Sequence, residues 1–329
     1  MVDVVILTYK PDKSIFDMLE KLENQTVKPG KIIIMNTEQR YLEKLIYASR
    51  FSNKFPNVEI RHISKLEFNH GRTRNKAAKR SDTEFLIFMT QDAMPADLNM
   101  IEELLRPLRK YEDIAISYGR QLPNADASPA EKFTRVYNYP DEDEEKTFED
   151  INTRGIKAFF CSNACACYRR SVFDELGGFV DKTIFNEDMI YAYNVLAADY
   201  SIYYAAKAKV YHSHNYTAKQ QFQRNFDLGV SQADHPEIFG GIRSEDEGKK
   251  YVKECIGYLV RSGKAYLVPD FVIKCAARYL GYKKGLNYQK LSRKRILKYT
   301  SDPTYWRRSW DLNPSIDVTR GYGKNEEGL

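Results

Sequence analysis

Short apolar runs separated by helical patterns make up the first part of the chain. Each run ends in polar residues, as buried strands typically do. The runs lie at residues 2–8, 31–35, 58–63 and 85–90. One-sided apolar patterns predict helices at 14–24, with Ser14 as the cap, and at 73–80. Alternating strands and helices predict right-handed βαβ units, hence an α/β fold with a Rossmann-like, mostly parallel central sheet flanked by helices.

Less regular elements follow beyond residue 110. Strands are predicted at 114–119, 158–169, 202–205 and 209–211. A helix is predicted to follow Asp188 and reach Ala198, and the acidic run at 141–145 is predicted to be an exposed loop. Beyond residue 235 the pattern changes to helices with a basic bias. We therefore divide the chain into a sheet-containing domain at 1–235 and a basic helical region at 236–329.

The polar cluster after the fourth apolar run is the most informative feature. The run at 85–90 leads directly into Gln91 and Asp92. Open α/β sheets bind ligands at the carboxyl ends of their strands, so Asp92 stands where a ligand or a metal would bind. Taken alone, Asp92 could equally be the N-cap of the next helix.

Composition narrows the class of protein. A chain of 329 residues that is 43% hydrophobic and 29% charged can bury a sizeable core. Its five cysteines lack zinc-ligand spacing, so we expect buried reduced thiols. The sequence has no signal-peptide pattern and no apolar run near 18 residues, and the expected location is therefore the cytoplasm.

Four features taken together resemble the family 2 glycosyltransferases of the GT-A fold, over about residues 1–235. In chain order they are Thr8-Tyr9, Thr90-Gln91-Asp92, Gly177-Gly178-Phe179 before Glu187-Asp188, and His212-Ser213-His214. Within that family, the strings at 68–75 and 211–216 are similar to bacterial rhamnosyltransferases of O-antigen and capsule assembly. The resemblance implies a GT-A fold with a C-terminal helical extension.

Breaking a sugar–diphosphate bond leaves negative charge on the nucleotide, which a divalent cation or a basic side chain must offset. The resemblance implies that Asp92 ends a D-x-D motif and binds the metal, although Thr90 replaces the first Asp. It also implies a metal-binding histidine after the last strand. His212 and His214 are the candidates; we expect only one to face the site and prefer His212. Hard ligands favour Mg²⁺ or Mn²⁺.

The attacking acceptor hydroxyl must lose its proton, so a general base is needed opposite the leaving group. The resemblance implies that Asp188 is this base and that Glu187 is its neighbour, in contact with acceptor hydroxyls. A pair of helix-capping carboxylates is the structural alternative. A single base implies one displacement with inversion of the anomeric centre.

The nucleotide-binding candidates also come from the resemblance. Thr8 and Tyr9 match the position that holds the base and ribose, and Asn36 or Glu38 replaces a family Asp. The remaining candidates for the donor and its diphosphate are His70, Gly71, Arg74, Gln91 and Asp92. Arg74 is expected to reach the diphosphate, since arginine suits charge-assisted contacts with phosphate.

The resemblance implies dTDP-L-rhamnose as donor and a saccharide acceptor, with a polyprenyl-diphosphate-linked glycan as one candidate. A UDP-hexose or UDP-N-acetylhexosamine is the alternative donor. A sugar nucleotidyltransferase should carry a Gly-rich basic loop after the first strand, which this chain lacks. A non-catalytic membrane adaptor is disfavoured by the presence of Asp92, Asp188 and His212.

Nine Lys or Arg and no acidic residue lie between Lys274 and Lys298, with tyrosines and leucines among them. This composition is typical of contact with an anionic membrane, which would place the protein at the inner face of the cell membrane. Pairing of the region into a homodimer and a solvated helical face remain open. Nucleic acid is not expected, because no recognition motif accompanies the charge.

Overall fold

A nine-stranded sheet runs through the computed structural model, which describes residues 1–47, 51–242 and 245–312. Its strands are β1 (Val2–Tyr9), β2 (Ile32–Thr37), β3 (Val58–Ile63), β4 (Phe85–Thr90), β5 (Met94–Pro95), β6 (Ile114–Leu122), β7 (Glu144–Lys146), β8 (Cys165–Arg169) and β9 (Ser201–Tyr211).

Helices cover both faces of the sheet and form the C-terminal part of the described chain. They are α1 (Ser14–Glu23), α2 (Gln39–Ile46), α3 (Phe51–Lys54), α4 (His70–Ala78), α5 (Met100–Lys110), α6 (Pro129–Asn138), α7 (Asp150–Arg154), α8 (Arg170–Glu175), α9 (Glu187–Ala197), α10 (Ala218–Asp234), α11 (Pro236–Phe239), α12 (Glu245–Arg261), α13 (Val268–Leu286), α14 (Arg293–Tyr299) and α15 (Pro303–Leu312). Residues 313–329 of the predicted basic region lie outside the described residues.

The strand order is β3-β2-β1-β4-β8-β6-β9-β5, with β7 also on β9. The first four strands in this order are parallel, as predicted. Strand β8 is antiparallel to both β4 and β6, and β5 and β7 are antiparallel to β9. The α/β class is confirmed, and the complete sheet is mixed because the second half adds antiparallel strands.

Strand β1 explains why the sheet has two apolar layers. Its side chains alternate, so Val5 and Leu7 contact the core beneath α4, α8 and α9. Val4 and Ile6 point the other way, into the core formed with α1 and α5. Burial on both faces is typical of a central parallel strand.

One predicted helix start and one predicted helix cap are wrong for local reasons. Helix α4 begins at His70 instead of Thr73, because the Asn69 side chain caps it by accepting a hydrogen bond from Arg72 N at 3.2 Å. Ser14 does not cap α1. Its main-chain N–H donates instead to Asp12 Oδ1 at 2.8 Å, in a turn that precedes the helix.

Three other bounds also differ. The predicted strands at 202–205 and 209–211 form the single strand β9, with an irregularity opposite Gly119. The strand predicted at 158–169 begins only at Cys165. The acidic run is more than a loop: its end forms β7, and Asp143 Oδ1 accepts from Ala206 N at 2.8 Å.

The C-terminal helices pack on α10, which lies before the predicted boundary at residue 235. Phe226 of α10 shares an apolar cluster with Ile296 of α14 and Trp306 of α15. Arg308 Nη1 joins this layer to the sheet-containing part by donating to Phe68 O at 2.6 Å. The boundary itself stays a prediction. None of the helices that the structure describes is long and apolar enough to cross a membrane.

Candidate active site

Asp92, His212 and His214 meet at one edge of the sheet. Asp92 follows β4 and the histidines follow β9, and the short strand β5 joins the two because Met94 pairs with Tyr211. His212 Nε2 lies 3.6 Å from Asp92 Oδ1, and His214 Nε2 lies 3.3 Å from Asp92 Oδ2. The three ligand atoms all lie within 4.8 Å of one another. The structure therefore brings the three metal-ligand candidates together.

Both imidazoles face Asp92, so the expectation that only one of them would do so is wrong. Residues two apart in an extended segment point to the same side, and the two Nε2 atoms lie 3.1 Å apart. Burial and the neighbouring His212 lower the pKa of His214 to about 4, so its imidazole is neutral near pH 7. Burial raises the pKa of Asp92, but its contacts with His212, Thr90 and His214 together outweigh burial and hold that pKa well below its usual range.

Gln121, at the end of β6, orients the first histidine. Its Oε1 accepts from Arg135 Nη1 at 2.6 Å, which identifies that atom as the amide oxygen. His212 Nδ1 lies 2.8 Å from the same oxygen and must donate to it, leaving Nε2 as a lone pair directed towards Asp92. This is the usual outer hydrogen bond of a metal-binding histidine. One carboxylate and two imidazoles therefore fit a divalent cation, with coordination positions left for another ligand.

Glu187 and Asp188 open helix α9 after Asn186, whose φ of 63° turns the chain into the helix. Glu187 is buried, and its Oε1 accepts from Arg74 Nη1 at 2.7 Å and from Asn163 Nδ2 at 3.2 Å. Asp188 is half-buried, and its Oδ2 accepts from Asn163 N at 3.0 Å. Burial and the adjacent Glu187 raise the pKa of Asp188 to about 7. A carboxyl group with this pKa can accept a proton near neutrality.

A chain of polar contacts joins the histidines beside Asp92 to the second carboxylate, Asp188. Gln121 Nε2 donates to Ser162 Oγ at 3.0 Å, while Gln121 Oε1 contacts His212. Ser162 is followed by Asn163, whose main-chain N–H donates to Asp188. The base candidate and the metal-type cluster are thus held by one framework.

The three candidates on α4 have different surroundings. His70 is exposed. Gly71 is buried, and a Cβ atom there would lie 2.2 Å from Val180 O. Helix α4 therefore packs directly on the backbone at Val180, which requires glycine at this position. Arg74 is buried and paired with Glu187 instead of presenting its guanidinium to open space. A diphosphate contact by Arg74 stays a prediction.

Two of the nucleotide-binding candidates, Tyr9 and Gln91, are bound to each other. Tyr9 N donates to Gln91 Oε1 at 3.0 Å, and Gln91 Nε2 donates to Tyr9 O at 3.1 Å. The Tyr9 ring is 37% exposed, with the Tyr41 ring edge-on at 5.8 Å and Lys10 Nζ at 5.3 Å. These rings and the lysine leave a surface on which a base can stack.

The polar candidates beside Tyr9 are already occupied. Asn36 is fully buried: its Oδ1 accepts from Thr8 Oγ1 at 3.0 Å, and its amide lies 3.0 Å from His62 Nδ1. Glu38 Oε1 accepts from Lys65 N at 2.8 Å. Thr8 and Asn36 therefore shape the strand ends, whereas Tyr9 is the exposed candidate.

A cleft of about 540 Å³ lies next to Arg135, which donates to Gln121, and is also lined by residues of α10 and α13. Tyr139, Lys146, Tyr216, Arg224 and Arg278 are among the residues that line it. The Tyr216 ring stacks on the His214 ring, with 4.9 Å between their centroids. The Arg224 guanidinium lies over the same Tyr216 ring, 4.8 Å from its centroid. Aromatic rings beside cations suit a polar, anionic ligand.

The mixed sheet with helices on both faces is the arrangement of the GT-A fold. Residues 3–177 match the family model for glycosyl transferase family 2. The match covers more than half of the chain, and the chain belongs to that family. Its enzyme class is therefore glycosyltransferase, as the sequence motifs predicted.

Two curated relatives span nearly the whole chain. The O-antigen chain rhamnosyltransferase WbaN of Salmonella anatum is 41% identical over 288 residues, covering 86% of this chain and 88% of that protein. The O-antigen chain rhamnosyltransferase RfbN of Salmonella typhimurium strain LT2 is 38% identical over 311 residues, covering 93% and 96%.

Among solved structures, the mannosyltransferase PcManGT from Pyrobaculum calidifontis, in complex with GDP-Man and Mn²⁺, is similar with a TM-score of 0.54. It is 12% identical, and the match covers 96% of this chain and 87% of that one. At this identity the similarity concerns the fold alone.

Sequence reasoning missed Gln121, Asn163 and Arg224. Gln121 lies at the carboxyl end of β6, and strand ends are where site residues are expected. The predicted strand ends at Gly119, so Gln121 was not recognised as a strand-end residue. Asn163 was placed inside a strand that in fact starts two residues later. Arg224 lies in a helix, and no local pattern distinguishes it from other surface cations.

Proposed function

We propose that this chain is an inverting, metal-assisted glycosyltransferase that moves L-rhamnose from dTDP-β-L-rhamnose to a saccharide in cell-surface polysaccharide synthesis. One observation carries the proposal. The cluster of Asp92, His212 and His214 is joined by hydrogen bonds to Asp188, whose pKa is raised to about 7. The choice of sugar rests on the two relatives named as rhamnosyltransferases.

In the proposed reaction Asp188 accepts the proton of an acceptor hydroxyl. The hydroxyl oxygen forms a bond to the anomeric carbon as the bond from that carbon to the diphosphate oxygen breaks, and dTDP leaves with the electron pair. A β-L-rhamnosyl donor then gives an α-L-rhamnoside. Glu187 does not need to touch substrate in this scheme, since it is buried against Arg74 and acts through the pKa of Asp188.

Asp92, His212 and His214 would hold the divalent cation, which when bound offsets the charge of the leaving diphosphate. Two imidazoles among three ligands favour Mn²⁺ over Mg²⁺, because Mg²⁺ prefers oxygen ligands in near-ideal octahedral geometry. Arg224 lies over the Tyr216 ring, which in turn stacks on His214. Its guanidinium can therefore add a second positive charge near the leaving diphosphate.

The cleft lined by Tyr139 and Tyr216 is the proposed saccharide acceptor site. Its cation Arg278 suits an acceptor that carries a diphosphate, as a polyprenyl-diphosphate-linked glycan does. Such an acceptor would hold the enzyme at the inner face of the cell membrane. A UDP-hexose or UDP-N-acetylhexosamine is the alternative donor.

Nucleotide release from a panel of donors with Mn²⁺ tests the proposal. The donors are dTDP-L-rhamnose, UDP-glucose, UDP-galactose and UDP-N-acetylglucosamine, and each is also scored by the rise in Tm. We expect selective turnover or stabilisation by dTDP-L-rhamnose, and loss of turnover but not of stabilisation in Asp188→Asn. The exposed Asp17→Asn change is the matched control. A preference for a UDP-sugar would show that the proposed donor is wrong. If no donor is turned over and none raises the Tm, the catalytic proposal is wrong and a membrane adaptor is favoured.

A further inference from the structure

Helix α13 is held by close backbone contact with α10. A Cβ atom at Gly281 would lie 2.2 Å from Phe222 O, and one at Gly285 would lie 2.1 Å from Phe226 O. Both glycines are buried, as is Phe271 one turn into the helix. The two helices therefore pack without intervening side chains, and this fixes which face of α13 points away from the protein.

That outward face is apolar. Val272, Ile273, Tyr279 and Leu280 are 44%, 60%, 54% and 54% exposed. Their spacing puts them on one stripe of the helix. Six of the fifteen large apolar residues exposed in the described chain lie between residues 260 and 280. A solvated helix normally carries polar residues on such a face, and a clustered apolar patch marks an interaction surface.

Cations continue this stripe. Residues 264–298 contain ten Lys or Arg and a single acidic residue, Asp270, which pairs with Lys274 at 2.7 Å. The exposed cations at the C-terminal end of the stripe and on α14 are Lys284, Lys290, Arg293, Lys294, Arg295 and Lys298. An apolar strip bordered by positive charge complements a bilayer that contains anionic lipids. Two copies of this surface would instead bring like charges together.

The opposite side of the same helix lines the active-site region. Arg278 lines the 540 Å³ cleft, and Phe271 and Lys274 line an adjoining pocket of about 110 Å³. One rigid helix thus has its inner side on the cleft and its outer side exposed. A surface bound to the outer side would lie one helix diameter from the cleft, about 10 Å.

We propose that the outer stripe of α13, with the exposed cations that follow it, docks the enzyme on an anionic membrane surface. The inference deepens the proposed function, since it states how the chain would reach a lipid-linked acceptor. The described helices are too short or too polar to span a bilayer, so contact is peripheral. The docked helix would present the cleft to glycans attached to lipid at that surface.

Flotation of the full chain with vesicles tests the proposal without donor or acceptor. We expect binding to vesicles of phosphatidylcholine with phosphatidylglycerol and weak binding to pure phosphatidylcholine. The triple variant Val272→Ser/Ile273→Ser/Leu280→Ser should bind the anionic vesicles about a hundred-fold more weakly. The control Leu66→Ser/Leu98→Ser removes exposed apolar residues elsewhere and should bind as wild type does.

Charge is tested separately. Lys284→Gln/Lys290→Gln/Lys294→Gln should lower binding by about five-fold for each lysine removed. The same number of changes at the exposed Lys28, Lys44 and Lys79 should have little effect. Because the stripe touches no reacting group, both sets of variants should keep wild-type stability and wild-type turnover of a short, water-soluble acceptor.

Three outcomes overturn the proposal. Failure of wild type to bind anionic vesicles does so, as does equal binding to neutral and anionic vesicles. The third is that wild type does not bind vesicles but sediments as a dimer, whereas the apolar triple variant sediments as a monomer. That result would mean that the stripe contacts a second copy of the chain. None of these results touches the donor assay, so a failed transfer reaction and a failed docking surface are distinguishable.

Discussion

The Nη1 atom of Arg74 lies 2.7 Å from Glu187 Oε1, although the two residues are 113 positions apart in the chain. Their side chains are only 3% and 8% exposed. Burial raises the pKa of Glu187, but Arg74, His70 and the hydrogen bond from Asn163 together outweigh burial and the net pKa is lowered, so Glu187 stays ionised. After burial, this charge is the main cause that raises the pKa of the adjacent Asp188 to about 7. One buried ion pair thus sets the protonation of the neighbouring base candidate.

Glu187→Gln should move the acid limb of the pH profile of kcat/KM to lower pH. The change removes the negative charge beside Asp188, so the pKa of Asp188 falls. It also leaves Arg74 buried without its charged partner, which should lower the free energy of unfolding by about 3–5 kcal/mol. The exposed Glu112→Gln change should alter neither quantity. An acid limb that stays in place in the Glu187 variant would contradict this coupling.

Asp188→Asn should reduce kcat by about 10²–10⁴-fold and yet stabilise the fold at alkaline pH. The folded-state pKa of about 7 exceeds the ordinary 3.8, so the native state binds this proton more tightly and its stability falls as pH rises between those values. The gain from the substitution should be near zero below pH 4 and on the order of 2 kcal/mol at pH 8, allowing for partial exposure. Urea unfolding at both pH values measures it, and a variant less stable than wild type at pH 8 would count against the raised pKa.

Gln121→Leu should weaken Mn²⁺ binding by about 10–100-fold. The substitution removes the oxygen that holds the Nδ1 proton of His212, so Nε2 is no longer kept as a lone pair. Titration of Mn²⁺ by calorimetry gives the affinity directly. Gln289→Leu, at an exposed position, is the control. Unchanged affinity in the Gln121 variant would remove this residue from the metal site.

Tyr9→Ala should raise the Kd for free dTDP by about ten-fold, the lower end expected for loss of one base–aromatic stack. The ring is exposed beside Tyr41 and Lys10, so its removal leaves the core intact. Tyr47→Ala is the matched control, because that ring is 95% exposed. Equal Kd values for both variants would place the base elsewhere.

Gly285→Ala should lower the free energy of unfolding by about 1–3 kcal/mol, since the new methyl group would overlap the α10 backbone at Phe226 O. Gly248→Ala in α12 meets nothing within 4 Å and should instead stabilise by up to about 1 kcal/mol through helix propensity. Chemical denaturation of the two variants compares them. A neutral Gly285 substitution would mean that α13 can move away from α10.

The sequence predicted features that depend on neighbouring residues. The strand at 85–90 and the polar cluster after it were found because a buried strand leaves an apolar run and its end leaves polar residues. The helix after Asp188 was found in the same way. The start of α4 was missed because the capping bond of Asn69 competes with the apolar pattern for the first turn.

By itself the sequence determined the four strands of the first ninety residues, the family to which the chain belongs, and the polar residues that follow those strands. Only the tertiary structure decided which of those residues meet. The pairing of Met94 with Tyr211 brings both histidines to Asp92, and the contact of Arg74 with Glu187 sets the charge beside Asp188. The physical reason is that apolar periodicity encodes burial within one element, whereas sheet order and register between distant elements arise only from packing the whole chain.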